Sequence, residues 1–309
     1  MIIRTARSTE LPALTTYAGE DDRNASRADY LTSLLDKKCT HPEWAYVAED
    51  ADGNLIGNIV LWTRPGGEKP TDFVLFDAPW DDTTVARALL DHAFAEAAKM
   101  GADHLAHVVD SPAEAPQYQV EPEKRWALLA DYGFDLTRDG NRFRWQTGTP
   151  VPEDDPRVTW KSIVELGEAP FVDMAERILS DTKDAILRAD IAELGLRGAA
   201  ELLISDMKEM EHEPEWFELG FDDSGEAVAL SLPAKNPGFP VIGFVGVAPA
   251  GRGKGYSTAI VIRGTRILVA NGATDIRGDC DAGNVGMYKG FARAGYDNFA
   301  DRKAFSRAI

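Results

Sequence analysis

Cysteine is almost missing from this sequence: Cys39 and Cys280 are the two present in 309 residues. They lie far apart and lack metal-ligand spacing, which excludes a disulfide framework and leaves two small buried thiols in a reducing compartment. The cytoplasm is therefore the expected location. Long apolar runs are missing too, so no membrane span is expected. The opening MIIRTARSTELPAL has no apolar core of a secretory leader. Positive charge is scarce, with 33 Lys and Arg against 51 Asp and Glu, a net charge of −18. Such a surface repels nucleic acid and anionic lipid, and neither is an expected partner. It serves solubility, and it would suit a cationic substrate such as an amine.

What is present is a chain with a 44% hydrophobic share, ample for a core. At about 100–200 residues per domain, the length predicts two domains. The halves read as a diverged repeat. His41-Pro42-Glu43-Trp44 returns as His212-Glu213-Pro214-Glu215-Trp216, and a glycine follows each tryptophan by nine residues, Gly53 and Gly225. Asp52-Gly53 and Ser224-Gly225 predict hairpin turns joining WAYVAED to LIGNIVLW and WFELGFD to AVALSLP. A strand ending in Ala78-Pro79 or Ala248-Pro249 follows, then a long apolar-periodic helix that stops at Gly101 or Gly272. A strand, a shorter helix ending at Gly133 or Gly295, and a last strand carrying FRW or KAFSR complete each copy. TGTPVPEDDP, residues 147–156, has linker composition. The expected organisation is a first domain over 1–148, a linker over 149–156 and a second domain over 157–309. Each is expected to be an α/β (α+β) unit, a mixed, mostly antiparallel sheet flanked by helices.

One stretch carries chemistry: VIGFVGVAPAGRGKGYSTAIVIRGTRILVANG, residues 241–272. A β-branched strand runs to Val247, a loop follows with Gly251, Gly253 and Gly255, and a long helix begins. Glycines let backbone approach a bulky anion, the helix start offers free N–H groups and a positive dipole end, and Arg252 and Lys254 add charge. Together these make a pyrophosphate cradle. It is not a Walker A loop, because Gly255 rather than Ser or Thr follows Lys254. It is not a dinucleotide fingerprint, because Tyr256 stands where the third glycine is needed.

Val245-Gly246-Val247-Ala248-Pro249 followed by Arg252-Gly253-Lys254-Gly255-Tyr256-Ser257 resembles motif A of the GNAT superfamily of N-acetyltransferases, whose core is Arg/Gln-x-x-Gly-x-Gly/Ala. Arg252 and Gly255 match it, and Ser257 departs from Gly/Ala but is small, with a hydroxyl able to serve a phosphate. Asn284-Val285-Gly286-Met287, with Phe291 and Gly295-Tyr296, looks like motif B. The resemblance covers about 157 to 309. It implies acetyl-CoA as acyl donor, no metal, and an amine acceptor. Val245, Gly246 and Val247 would hold pantetheine as an added strand. N–H groups of Arg252, Gly253, Lys254, Gly255, Tyr256, Ser257 and Thr258 would hold the pyrophosphate, and Asn284, Tyr288 and Phe291 would line the cofactor arm.

The first copy departs from the motif. After Pro79 it reads Trp80-Asp81-Asp82-Thr83-Thr84, with no Arg and no Gly-x-Gly, and Pro122 stands opposite Asn284. It resembles a GNAT domain without a cofactor site, packed on the second as an internal pseudo-dimer partner.

Catalytic candidates are fewer. The tyrosine that the family uses to protonate the departing thiolate is here Phe291, which cannot donate. Tyr288, one helical turn after Asn284, is the alternative acid, or a cofactor contact. Glu218 is a candidate base on the strand after Trp216. His212, Glu213 and Glu215 form a cluster, but the first copy keeps His41 and Glu43 without a cofactor site, which points to structure. The C-terminal carboxylate at Ile309 is a further candidate base by analogy with some tandem members. Met207, Met210 and Leu203 fall on helical spacing and read as core. The expected activity is transfer of acetyl to a small primary amine, in the manner of mycothiol synthase or antibiotic-modifying enzymes. An acyl-CoA sensor and a protein acetyltransferase remain as alternatives.

Overall fold

The structure, a computed structural model, describes residues 1–17, 20–182, 184–236 and 238–309. In chain order the strands and helices are β1 (Ile2–Thr5), α1 (Asp21–Asp36), β2 (Ala45–Glu49), β3 (Leu55–Trp62), β4 (Asp72–Asp77), α2 (Thr84–Lys99), β5 (His104–Ser111), α3 (Pro122–Asp131) and β6 (Asp135–Gln146). They continue with β7 (Thr159–Ser162), α4 (Ile163–Leu166), α5 (Ala169–Leu179), α6 (Ala185–Glu209), β8 (Glu218–Phe221), β9 (Ala227–Lys235), β10 (Pro240–Val247), α7 (Tyr256–Ala270), β11 (Asp275–Asp281), α8 (Val285–Arg293) and β12 (Asp297–Ala308).

The chain divides into two compact units, one of 1–139 with 300–309, the other of 140–299. In the first, strands run in the order β1-β2-β3-β4-β5-β12, antiparallel except for the β4–β5 pair. In the second the order is β7-β8-β9-β10-β11-β6, again antiparallel except for β10–β11. The repeat read from the sequence is thus a repeat of topology. Both hairpin glycines take the left-handed conformation that their turns require, φ +84° at Gly53 and +82° at Gly225.

The closing strands differ from expectation. FRW at 143–145 pairs with β11 in the second unit, and KAFSR at 303–307 pairs with β5 in the first. Each unit is therefore completed by the end of the other sequence repeat. Phe305 is buried in the first unit's core beside Phe73 and Leu105, and Phe143 in the second unit's beside Phe291. The stretch 147–156 also differs from a free linker. Asp154 bonds Arg263 at 3.0 Å and the Pro152 carbonyl accepts from Arg266 at 3.2 Å, so it is fastened to α7.

Periodicity explains the long helices. α2 buries Ala86, Leu89, Leu90, Ala93, Phe94 and Ala97, one face at 3–4 residue spacing. Each wholly buried leucine there contributes about 1.5–3 kcal/mol. α7 is buried more widely: Ala259, Ile260, Val261 and Ile262 are buried in succession, with Tyr256, Gly264, Thr265 and Leu268. In the second unit α5 and α6 cover one face of the sheet over Leu219, Leu230 and Leu232, and α7 and α8 cover the other. α6 is broken at Gly195, where φ is +74°. Met207 is buried core, as its spacing predicts, with Leu203 and Met210 packed against the same cluster.

Candidate functional site

β10 is a central strand with an unusual edge. Its registered partner on β11 is one pair, Val241↔Arg277, after which the two strands part. On its other side the register with β9 shifts between Val241 and Phe244, a bulge that turns the rest of the strand. Val245 and Val247 are half-exposed although strands flank β10 on both sides. A parted pair in mid-sheet leaves backbone N–H and C=O groups facing a cleft, a template for an added strand.

The cleft leads to the glycine loop. Gly253 and Gly255 have φ +76° and +89°, and a Cβ at Gly253 would meet nothing within 4 Å. Among the described residues no side chain caps the start of α7. The Arg252 N–H bonds the Pro249 carbonyl at 3.3 Å and the Thr258 N–H the Gly255 carbonyl at 3.0 Å, which leaves the N–H groups between them for an anion. The Thr258 hydroxyl lies buried in that same turn without a partner among the described residues. α8 begins alongside: the Ser257 hydroxyl donates to the Gly286 carbonyl at 3.2 Å, and Gly290 lies so close to Ser257 that a Cβ would sit 3.0 Å from its carbonyl oxygen. The Ser257 proton expected to serve a phosphate is thus given to α8, because glycine at 290 lets the two helices touch. The open N–H groups, the orphaned Thr258 hydroxyl and the spare backbone edge fit a pyrophosphate joined to an extended amide-bearing arm.

Three cations surround the loop. Lys254 is exposed. Arg252 pairs with Asp181. Arg157, not anticipated from the sequence, donates to the Lys254 carbonyl at 3.1 Å and lies 5.3 Å from the centre of the Tyr256 ring. Asp155 holds Arg157 by two hydrogen bonds, at 2.5 and 2.9 Å, and raises its pKa. Nothing in the surrounding PEDDPRV marks Arg157 as a loop residue, and the fold alone brings it there.

The remaining candidates are placed as follows. Asn284 is the cap of α8, accepting from the Met287 N–H at 3.2 Å. Tyr288 is 38% exposed, with its ring edge-on to Phe143. Phe291 is buried, stacked on Phe143 at 4.6 Å and pressed against Gly278, so its ring is core. Tyr256 is likewise a core ring, and Gly246 is closed over by Ile178.

Glu218 differs from expectation. Its two oxygens accept from Arg263 at 2.6 and 2.7 Å, and this pairing raises the arginine pKa. The carboxylate thus lies on the α7 face of the sheet, opposite α5 and α6. It lines a cavity of about 800 Å³ with Trp216 and Arg266. Both carboxylate oxygens are engaged by the guanidinium. His212 stacks on Phe217 at 4.3 Å with its Nδ1 at 2.8 Å from the Met210 carbonyl, a structural arrangement. A second cavity of about 540 Å³ lies between α5 and the start of the loop, lined by Glu176, Arg177, Ser180, Pro249 and Ala250.

The first unit shows the same parting strands, with β4 and β5 registered at Asp72↔Ala106. Here the chain's own side chains occupy the cleft. Leu75, three residues before Ala78 as Val245 is before Ala248, donates its N–H to the Gln117 side chain at 2.9 Å. His107 Nδ1 sits 2.7 Å from the Phe73 carbonyl, and its Nε2 is 2.9 Å from Gln119. Arg125 donates to the Phe76 carbonyl, and Arg27 to the Gln117 carbonyl. In the second unit no side chain bonds the Val245 N–H among the described residues. Below the plug, Asp77 is buried between guanidiniums. Burial pushes its carboxyl up, but Arg125 and Arg27 outweigh burial and hold it below the ordinary range. The plugging segment spans 112–121, whereas 282–284 joins β11 to α8.

Among the described residues no helix is long and apolar enough to cross a membrane, and no group of three or more His, Cys, Asp or Glu could hold a metal ion.

No protein-family model matches the sequence, and no curated protein does. Solved structures do match. A GCN5-related N-acetyltransferase from Sphaerobacter thermophilus aligns with 99% of this chain and 95% of its own, at 16% identity and a TM-score of 0.63. A tandem GNAT protein from the clavulanic acid biosynthesis pathway aligns with 99% of this chain and 98% of its own, at 13% identity and a TM-score of 0.50. A conserved protein of unknown function from Staphylococcus epidermidis aligns over 81% and 91%, at 10% identity and 0.50. At these identities the likeness establishes the fold, which is that of the GCN5-related N-acetyltransferases.

Proposed function

We propose that the second unit of this GNAT-fold chain is an acetyl-CoA-dependent N-acetyltransferase acting on a small primary amine. The observation that carries the reading is the parted β10–β11 edge running into an uncapped, glycine-built helix start. Val245 and Val247 would hold the pantetheine amides through backbone groups, with Gly246 between them. The N–H groups from Gly253 to Ser257 would hold the pyrophosphate, with Arg252, Lys254 and Arg157 supplying charge and the Thr258 hydroxyl a further donor. Asn284 and Tyr288, on the exposed side of the α8 start, would line the arm. Phe291 would support Tyr288 from the core through Phe143.

The amine nitrogen attacks the thioester carbonyl. A C–N bond forms, the C–S bond breaks, coenzyme A leaves as thiolate, and the ammonium proton passes to solvent or a base. This chain's contribution is position and a backbone N–H near Val247 aimed at the carbonyl oxygen. Glu218, held by Arg263 on the other face, takes no part in this scheme. The first unit, with Gln117 and His107 in its cleft, would bind no cofactor and serve as scaffold.

The test is calorimetry with acetyl-CoA, then coenzyme A release across polyamines, amino sugars, aminoglycosides and amino acids. One site per chain and turnover of at least one amine are expected. A stoichiometry near two would overturn the plugged first unit. Tight binding with no turnover of any amine would favour a sensor.

A further inference from the structure

Arg252 does more than add charge to the loop. Its Nη1 donates to the Asp181 carboxylate, its Nη2 to the Ile178 carbonyl at 3.4 Å, and its Nε to the Val247 carbonyl at 3.4 Å. Ile178 lies in the last turn of α5, and Asp181 just beyond it. A guanidinium there meets both a carboxylate and the negative end of a helix dipole. It therefore ties the end of α5 to the phosphate loop. Those same two segments, Ser180 and Arg177 on one side and Pro249 and Ala250 on the other, wall the cavity of about 540 Å³. The side chains of Arg252 and Asp181 are 40% and 57% exposed, so solvent screens the pair and an incoming anion can reach it.

Resting on the cofactor reading above, we propose that Arg252 is shared between two anions, Asp181 in the cofactor-free chain and the pyrophosphate of the bound cofactor. Its three bonds here leave two of its five N–H groups for a second anion, so what the two anions share is its single positive charge. A pyrophosphate carries more charge than one carboxylate and is held by helix N–H groups as well, so it wins the competition. Binding then unties the end of α5 from the loop and widens the cavity between them. By linkage, whatever fastens Asp181 to Arg252 weakens cofactor binding by the same factor.

The test uses coenzyme A itself as probe, on the full chain. Asp181→Asn should tighten its Kd about two- to fivefold, the range of an exposed ion pair. Glu211→Gln, the same charge change beside Lys235 rather than Arg252, should leave Kd within error. Amide exchange at Ile178–Thr182 should rise when wild type is saturated with coenzyme A, and should already be high in free Asp181→Asn. The proposal is overturned if Asp181→Asn binds no tighter, if Glu211→Gln tightens equally, or if coenzyme A slows exchange at the end of α5. Wild type that binds coenzyme A normally with any of these results loses this inference alone. Wild type that takes up no coenzyme A loses the cofactor reading with it.

Discussion

Gly255 sits just before α7 at φ +89°, and a Cβ there would lie 3.7 Å from the Arg157 guanidinium. Asn tolerates such a backbone better than other residues. Gly255→Asn should therefore fold and keep measurable cofactor affinity. Gly255→Glu places a negative charge among the phosphate oxygens, and the lost charge-assisted contacts are worth about 1.5–3 kcal/mol. Its affinity should fall at least about tenfold. Thr83→Glu, at the matching helix start of the first unit, should change nothing in the same titration. Equal losses from Gly255→Glu and Thr83→Glu would mean the loop is misassigned.

His107 is the other residue whose chemistry is set by its surroundings. Burial pushes its imidazole down from 6.5 to about 3. Between those values the unfolded chain binds a proton that the folded chain refuses, so this site's contribution to stability is intact above 6.5 and is lost as pH falls. The slope is about 1.4 kcal/mol per pH unit. Urea midpoints of wild type and His107→Gln should therefore converge as pH drops from 6.5 to about 4.5, above the range where most carboxylates titrate. Parallel curves would show that His107 is protonated in the fold.

At the scale of the element, much was legible because it is written in local chemistry. Gly53 and Gly225 read as turns and stand in them, α2 reads as a helix with one buried face, and the loop from Gly251 to Gly255 reads as an anion cradle. What was not legible depends on partners distant in sequence. Glu218 reads the same whether it faces an acceptor or Arg263. Arg252 reads as a phosphate ligand, and nothing near it announces Asp181. The final strands FRWQ and KAFSR each fit either sheet by alternation, since a pairing partner is chosen by tertiary packing and not by propensity. The plug at 112–121 was not legible, because Gln117 and Gln119 belong to no motif.

At the scale of the whole molecule, the exchanged closing strands give opposite expectations for two buried phenylalanines. A buried Phe→Ala costs about 3–5 kcal/mol. Phe305→Ala, near the end of the sequence, should loosen amide protection in β2–β5 and leave coenzyme A affinity nearly unchanged. Phe143→Ala, in the first sequence repeat, should loosen β10, β11 and α8 and weaken coenzyme A binding. The reverse pattern would mean that each repeat closes its own sheet.

That exchange also sets an order of events on the ribosome. A tandem protein whose first repeat closed itself could finish folding that repeat while the second was still being made. Here the first unit waits for residues 300–309, which emerge after every residue of the second. Until then β5 presents an unpaired edge to the crowded cell, and the second unit, already supplied with β6, is the one free to mature first. The half translated last is thus the half that can work earliest, and the two cannot be cut apart at 149–156 without taking a strand from each.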